Sequence, residues 1–126
     1  MRRAQLIGLA VIVVASGLWV TPAAGQEFGM GGVLLRQCAE ALKTSGDPTK
    51  DLQDSALCEA YVTGIGDISS LPDTPFYRRL CPTSESTVDQ AVRSVYNWLE
   101  DHPEALEVIA GISVVAALQE AWPCSP

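Results

Sequence analysis

From Val33 the chain reads VLLRQCAEALK, in which Leu34, Leu35, Cys38, Ala41 and Leu42 recur at the spacing of one helical face. The run stops before TSGDP, a cluster of turn formers, and so predicts a short first helix. Beyond the turn, Leu52, Ala56, Leu57, Ala60, Tyr61 and Ile65 continue as one apolar stripe. Asp47 before Pro48 has the form of a helix start with proline at the first helical position, and Gly64 and Gly66 are expected to close this second helix. The segment TVDQ signals a third, because Thr87 and Gln90 stand at capping-box spacing. Behind it Val88, Ala91, Val92, Val95, Trp98 and Leu99 trace one buried face. Ala105, Leu106, Val108, Ile109, Ile112, Val115, Ala116 and Ala121 then form a broader stripe, predicting a last helix that is the most apolar of the four. Gly111 within it lets another helix approach closely, at roughly 1 kcal/mol in helix propensity.

No strand alternation and no internal repeat interrupts this pattern. The expected fold is all-α, a small four-helix domain whose short connections make the first two helices, and the last two, antiparallel neighbours. Between Asp67 and Glu85 the sequence DISSLPDTPFYRRLCPTSE has no period and reads as one long loop, tied down by Cys81. Loops of this length commonly carry recognition. Phe76 and Tyr77 beside Arg78 and Arg79 suit a contact surface, where aromatic and Arg residues are enriched; the alternative is that the aromatics fold back over a small core.

The first residues divide the chain further. Arg2 and Arg3, the apolar run Leu6 to Val20 and the small residues of TPAAG follow the three-part plan of a secretory signal peptide, expected to span residues 1–25 with cleavage at Ala24 or Gly25. The run is short for a membrane span, which needs roughly 20 residues. Residues 26–32 (QEFGMGG) read as a flexible arm and 33–126 as the helical domain. After cleavage about 101 residues would carry six basic side chains against 15 acidic ones, a net charge near −9. Such a surface repels nucleic acid and anionic lipid and favours a basic partner.

Four cysteines, Cys38, Cys58, Cys81 and Cys124, lie in the exported part, and an even count in a short exported chain argues for two disulfides with three connectivities. A zinc site would show closer pairs, since the nearest two are twenty positions apart. The hairpin arrangement sorts the connectivities. Cys38 and Cys58 flank the TSGDP turn at comparable distances, while Cys81 precedes the third helix and Cys124 follows the fourth, so 38–58 and 81–124 are the expected bonds.

No catalytic set emerges. The only histidine, His102, lies in NWLEDHPEAL, and no serine stands in a G-x-S-x-G elbow. Asp101 and Glu104 have the form of a second capping box with Pro103 in the first turn, which makes His102 part of a hinge between the third and fourth helices. Acid pairs such as Glu100 with Asp101 or Glu104 with Glu107 read as solvated helix surface. GMGG lacks the strand and the Lys-Ser/Thr of a phosphate loop, and no cofactor or metal is expected.

The series CEAYVTGIGD, LCPTSESTVDQAVRSVYNWLEDHPEAL and AALQEAWPC resembles the Rap/Tai family of type VI secretion amidase immunity proteins, over about Leu35 to Cys124. The marks are Tyr61, Gly64 and Asp67 after Cys58, then Cys81, Pro82 and Gln90, the His-Pro at residues 102 and 103, and the closing Ala-x-Pro-Cys from Ala121 to Cys124. Ala60, where the family commonly has glycine, and Leu80, where it often has an aromatic, are mild departures. The resemblance implies a periplasmic binding protein, not an enzyme, that blocks the groove of a secreted peptidoglycan amidase and protects the producing cell, with a homodimer in keeping with the family. The matching residues look mostly structural, so contacts with the amidase are expected from the loop, at Asp67, Asp73, Phe76 and Tyr77. The alternative function is an envelope structural or adaptor protein on the same helical fold with no toxin partner.

Overall fold

The computed structural model describes residues 29–72 and 79–125. Among them run four α-helices, α1 (Gly31–Ala41), α2 (Leu52–Ser69), α3 (Val88–Asp101) and α4 (Ala110–Ala121), with a 3-10 helix at Pro103–Glu107 between the last two. No strand occurs among the described residues; two isolated antiparallel bridges, Met30 with Ile109 and Leu80 with Pro123, fasten the connecting segments. The all-α class with four helices is therefore as expected, and the loop from Asp67 supplies its first three residues to α2 instead.

Every helix contributes to a single core. Leu34 and Cys38 come from α1, Cys58 and Val62 from α2, Val92, Val95 and Leu99 from α3, and Ala110, Val114, Ala117 and Leu118 from α4. Both disulfides form as the hairpins require. Cys38 bonds Cys58 across the α1–α2 pair with Cα atoms 5.1 Å apart, and Cys81 bonds Cys124 across the α3–α4 pair with Cα atoms 5.0 Å apart.

Helix boundaries depart from the pattern wherever a distant segment intervenes. α1 starts at Gly31, inside the stretch read as an arm, because Gly31 donates its N–H to the Val108 carbonyl at 2.9 Å and the Gly29 carbonyl accepts from Ala110. These two bonds flank the Met30 and Ile109 pair as in an antiparallel ladder. They also delay the last helix. Pro103 disfavours helical backbone at His102, which stands at φ −125°, ψ 71°, and Val108 is extended at φ −109°, ψ 168°, so the expected continuous helix after His-Pro breaks into the 3-10 helix and α4. The expected Asp101 and Glu104 capping box is absent, since Asp101 is the last residue of α3 and no side chain caps the 3-10 helix.

α2 begins later and ends later than expected. Asp47 serves the turn, accepting from the Thr49 N–H at 2.8 Å and its hydroxyl at 2.7 Å. Asp51 is the N-cap instead, accepting from the N–H groups of Gln53 at 2.9 Å and Asp54 at 3.0 Å. Gly64 and Gly66 lie within the helix rather than closing it; the positive-φ glycines among the described residues are Gly29 and Gly46. Termination falls at Ser70, whose hydroxyl donates to the Gly66 carbonyl at 2.8 Å. The Thr87 and Gln90 capping box is formed, with bonds of 2.9 and 3.2 Å.

Candidate functional site

His102 has a structural post. Its imidazole stacks on the Trp98 indole with ring centroids 3.9 Å apart, and Nδ1 donates to the Trp98 carbonyl at 2.7 Å. Trp98 in turn donates Nε1–H to the Glu120 carboxylate at 3.1 Å, which ties the end of α3 to the end of α4. All four cysteines are committed to disulfides, so no thiol nucleophile stands beside this ring. No group of three or more His, Cys, Asp or Glu side chains among the described residues is placed to hold a metal ion.

The α1–α2 turn gathers charges of both signs. Glu40 accepts from Lys43 at 2.8 Å and from the Asp51 N–H at 2.9 Å, and these bonds hold its carboxyl below the ordinary carboxylate value. Asp47 is held below its ordinary value by the Thr49 N–H and hydroxyl. Lys50 donates to the carbonyls of Ala41 and Lys43, so it covers the exposed C-terminal end of α1. Both oxygens of Glu40 and the ammonium groups of Lys43 and Lys50 are engaged within the turn. The cluster orients the hairpin and leaves little for a ligand.

Elsewhere the surface is apolar where the sequence pattern expected core. Val108, Ile109 and Ile112 were assigned to the buried stripe of the last helix, yet Ile109 is 63% and Ile112 54% exposed. The burden of burial in α4 falls on Ala110, Ser113, Val114, Val115, Ala117 and Leu118. On α2, Ile68 and Leu71 just beyond its end are each 56% exposed. Tyr61 and Ile65 meet α4 at Gly111: a Cβ there would stand 3.5 Å from the Tyr61 hydroxyl and 3.7 Å from the Ile65 methyl. Gly111 thus lies at a helix approach, as expected. A separate shallow groove of about 170 Å³ between Ala41, Glu59, Val88, Asp89 and Val92 has room for a single side chain.

Of the expected contact residues, Asp67 is exposed in the last turn of α2, while Asp73, Phe76 and Tyr77 lie outside the described residues. The α2–α4 aliphatic edge was missed. Its signal lay in α4 itself, a helix with apolar residues on every side and no charge before Glu120, more than one buried face can use.

Fold and cross-links together define a small helical domain held by two disulfides. The family model of the Rap1a immunity proteins matches residues 30–124, nearly all of that domain, and the chain belongs to this family. No curated protein matches it.

Proposed function

We propose that this chain is a periplasmic immunity protein that binds and inhibits a peptidoglycan amidase delivered by type VI secretion, so protecting the cell that makes it. The observation that carries the reading is the match to the Rap1a immunity proteins over residues 30–124, nearly all of the helical domain. Several physical features support it. The N-terminal sequence has the plan of a signal peptide, and both disulfides belong to an oxidising compartment such as the periplasm. No helix among the described residues is long and apolar enough to cross a membrane. The excess of acidic residues would speed association with a basic hydrolase groove. Asp67, in the last turn of α2, and Asp73, Phe76 and Tyr77, which follow it in the sequence, remain the proposed contacts.

The test is a periplasmic pull-down on the tagged chain, read by mass spectrometry, followed by a growth assay with the recovered protein. Recovery of a peptidoglycan amidase whose periplasmic expression lyses cells only when this chain is absent supports the reading. Recovery of envelope assembly proteins alone would favour an adaptor.

A further inference from the structure

We propose that the α2–α4 edge is the face that receives the amidase, and that the complementary surface on the amidase is an apolar knob ringed by Lys and Arg side chains. This rests on the immunity reading and adds where and by what chemistry the partner is held.

The apolar part runs along two helices that meet at Gly111. Tyr61 and Ile68 are seven residues apart and so share one flank of α2. That flank meets α4 at Gly111, beside the exposed Ile112. At the start of α4, Ile109 pairs with Met30 through the backbone and leaves its side chain outward. Between Tyr61 and Ile68, a Cβ built on Gly64 meets no atom within 4 Å, so the row has a notch where a side chain can seat. Single exposed aliphatics are ordinary, but a run of them across two packed helices marks a contact surface.

Charge decides the occupant. No Lys or Arg occurs from Asp51 to Pro72 or from Ser94 to Ser125, the two described stretches that build this edge. The first carries Asp51, Asp54, Glu59 and Asp67; the second carries Glu100, Asp101, Glu104, Glu107 and Glu120. Asp67 adjoins Ile68 and Glu107 adjoins Val108, so anions border the aliphatic strip, and the cation brought to it is Arg79, which the bond from the Leu80 N–H to the Ser69 carbonyl sets beside the end of α2. A second copy docked on this edge would set two anionic borders against each other, and an anionic bilayer would meet the same repulsion. A cationic protein surface with an aliphatic or aromatic centre is matched in both respects.

The experiment measures binding of the processed chain to the amidase recovered by pull-down, by biolayer interferometry at low and high salt. Ile68→Glu and Ile112→Glu are each expected to weaken binding about tenfold or more, while Leu52→Glu, at the opposite end of α2, changes it by about twofold or less. The milder Ile68→Ala and Ile112→Ala keep the test valid if a charged variant loses its helical circular dichroism. Asp67→Asn with Glu107→Gln should slow association and flatten its dependence on salt. Unchanged affinity in both isoleucine variants, with the wild-type chain binding, overturns this face and leaves the immunity reading standing. Ile112→Glu that dissociates a homodimer while sparing amidase binding assigns the edge to a second copy and also overturns it. A wild-type chain that binds no amidase fails at the immunity reading and takes this inference with it.

Discussion

Gly31 sits where the backbone of α1 meets the 3-10 helix, and a Cβ there would overlap the carbonyl of Ala105, a main-chain atom that cannot swing aside. Gly31→Ala should destabilise the domain by about 1–3 kcal/mol, as forced overpacking does. Gly32→Ala, whose nearest neighbour is at 3.5 Å, should be tolerated. Urea unfolding of both variants separates the two. Ser113 makes the converse case. Its hydroxyl is buried in α4 with no hydrogen-bond partner among the described residues, so Ser113→Ala should be neutral or stabilising by about 1 kcal/mol. At this scale legibility varied with locality. His102 could be read as a hinge because the following proline announces one, and its stacking on Trp98 lies within a single helical turn. The need for glycine at position 31 comes from Ala105, over seventy positions away, and nothing near Gly31 in the sequence reveals it.

Elements show the same division. The capping box of α3 was legible because Thr87 and Gln90 complete it between themselves. Thr87→Ala should therefore cost about 1 kcal/mol, and Asp51→Ala a similar amount, by loss of an N-cap. The start of α4 was not legible, since it depends on Met30 pairing with Ile109 from the other end of the domain. The start of α2 was misplaced because Asp47 and Asp51 both suit a cap, and only the folded turn commits Asp47 to Thr49. That turn also has a pH signature. Glu40 and Asp47 have folded values below their ordinary 4.5 and 3.8, so the unfolded chain binds more protons there and stability rises with pH through the ordinary range. The contribution is present above about pH 5 and is lost as pH falls through the folded values. Melting temperature followed from pH 3 to pH 6 should fall on acidification, and less steeply in Glu40→Gln combined with Asp47→Asn; equal slopes would show that these bonds carry none of it.

For the whole molecule, the bridges decide how firmly the edge is presented. They close loops with sequence separations of 20 and 43, which on the chain-entropy account contribute roughly 3 and 4 kcal/mol. Their accessibility differs: Cys38 and Cys58 are wholly buried, whereas Cys81 is exposed. A mild dithiol should therefore open the 81–124 bridge first, visible as a species alkylated at those two cysteines alone. The pairing itself was legible because two helical hairpins bring each pair of cysteines to a common position. The aliphatic edge was not, because hydrophobic periodicity cannot distinguish a face buried in this chain from one buried by a partner. Ile112 fits the apolar stripe equally well in either case.

The most direct test of immunity measures peptidoglycan cleavage by the amidase recovered with the chain, while the processed chain is titrated in. Activity should fall linearly and reach its floor near a simple stoichiometric ratio, with Ile112→Glu shifting the titration toward excess protein. Undiminished cleavage at a large molar excess of a folded, fully disulfide-bonded chain would contradict the account.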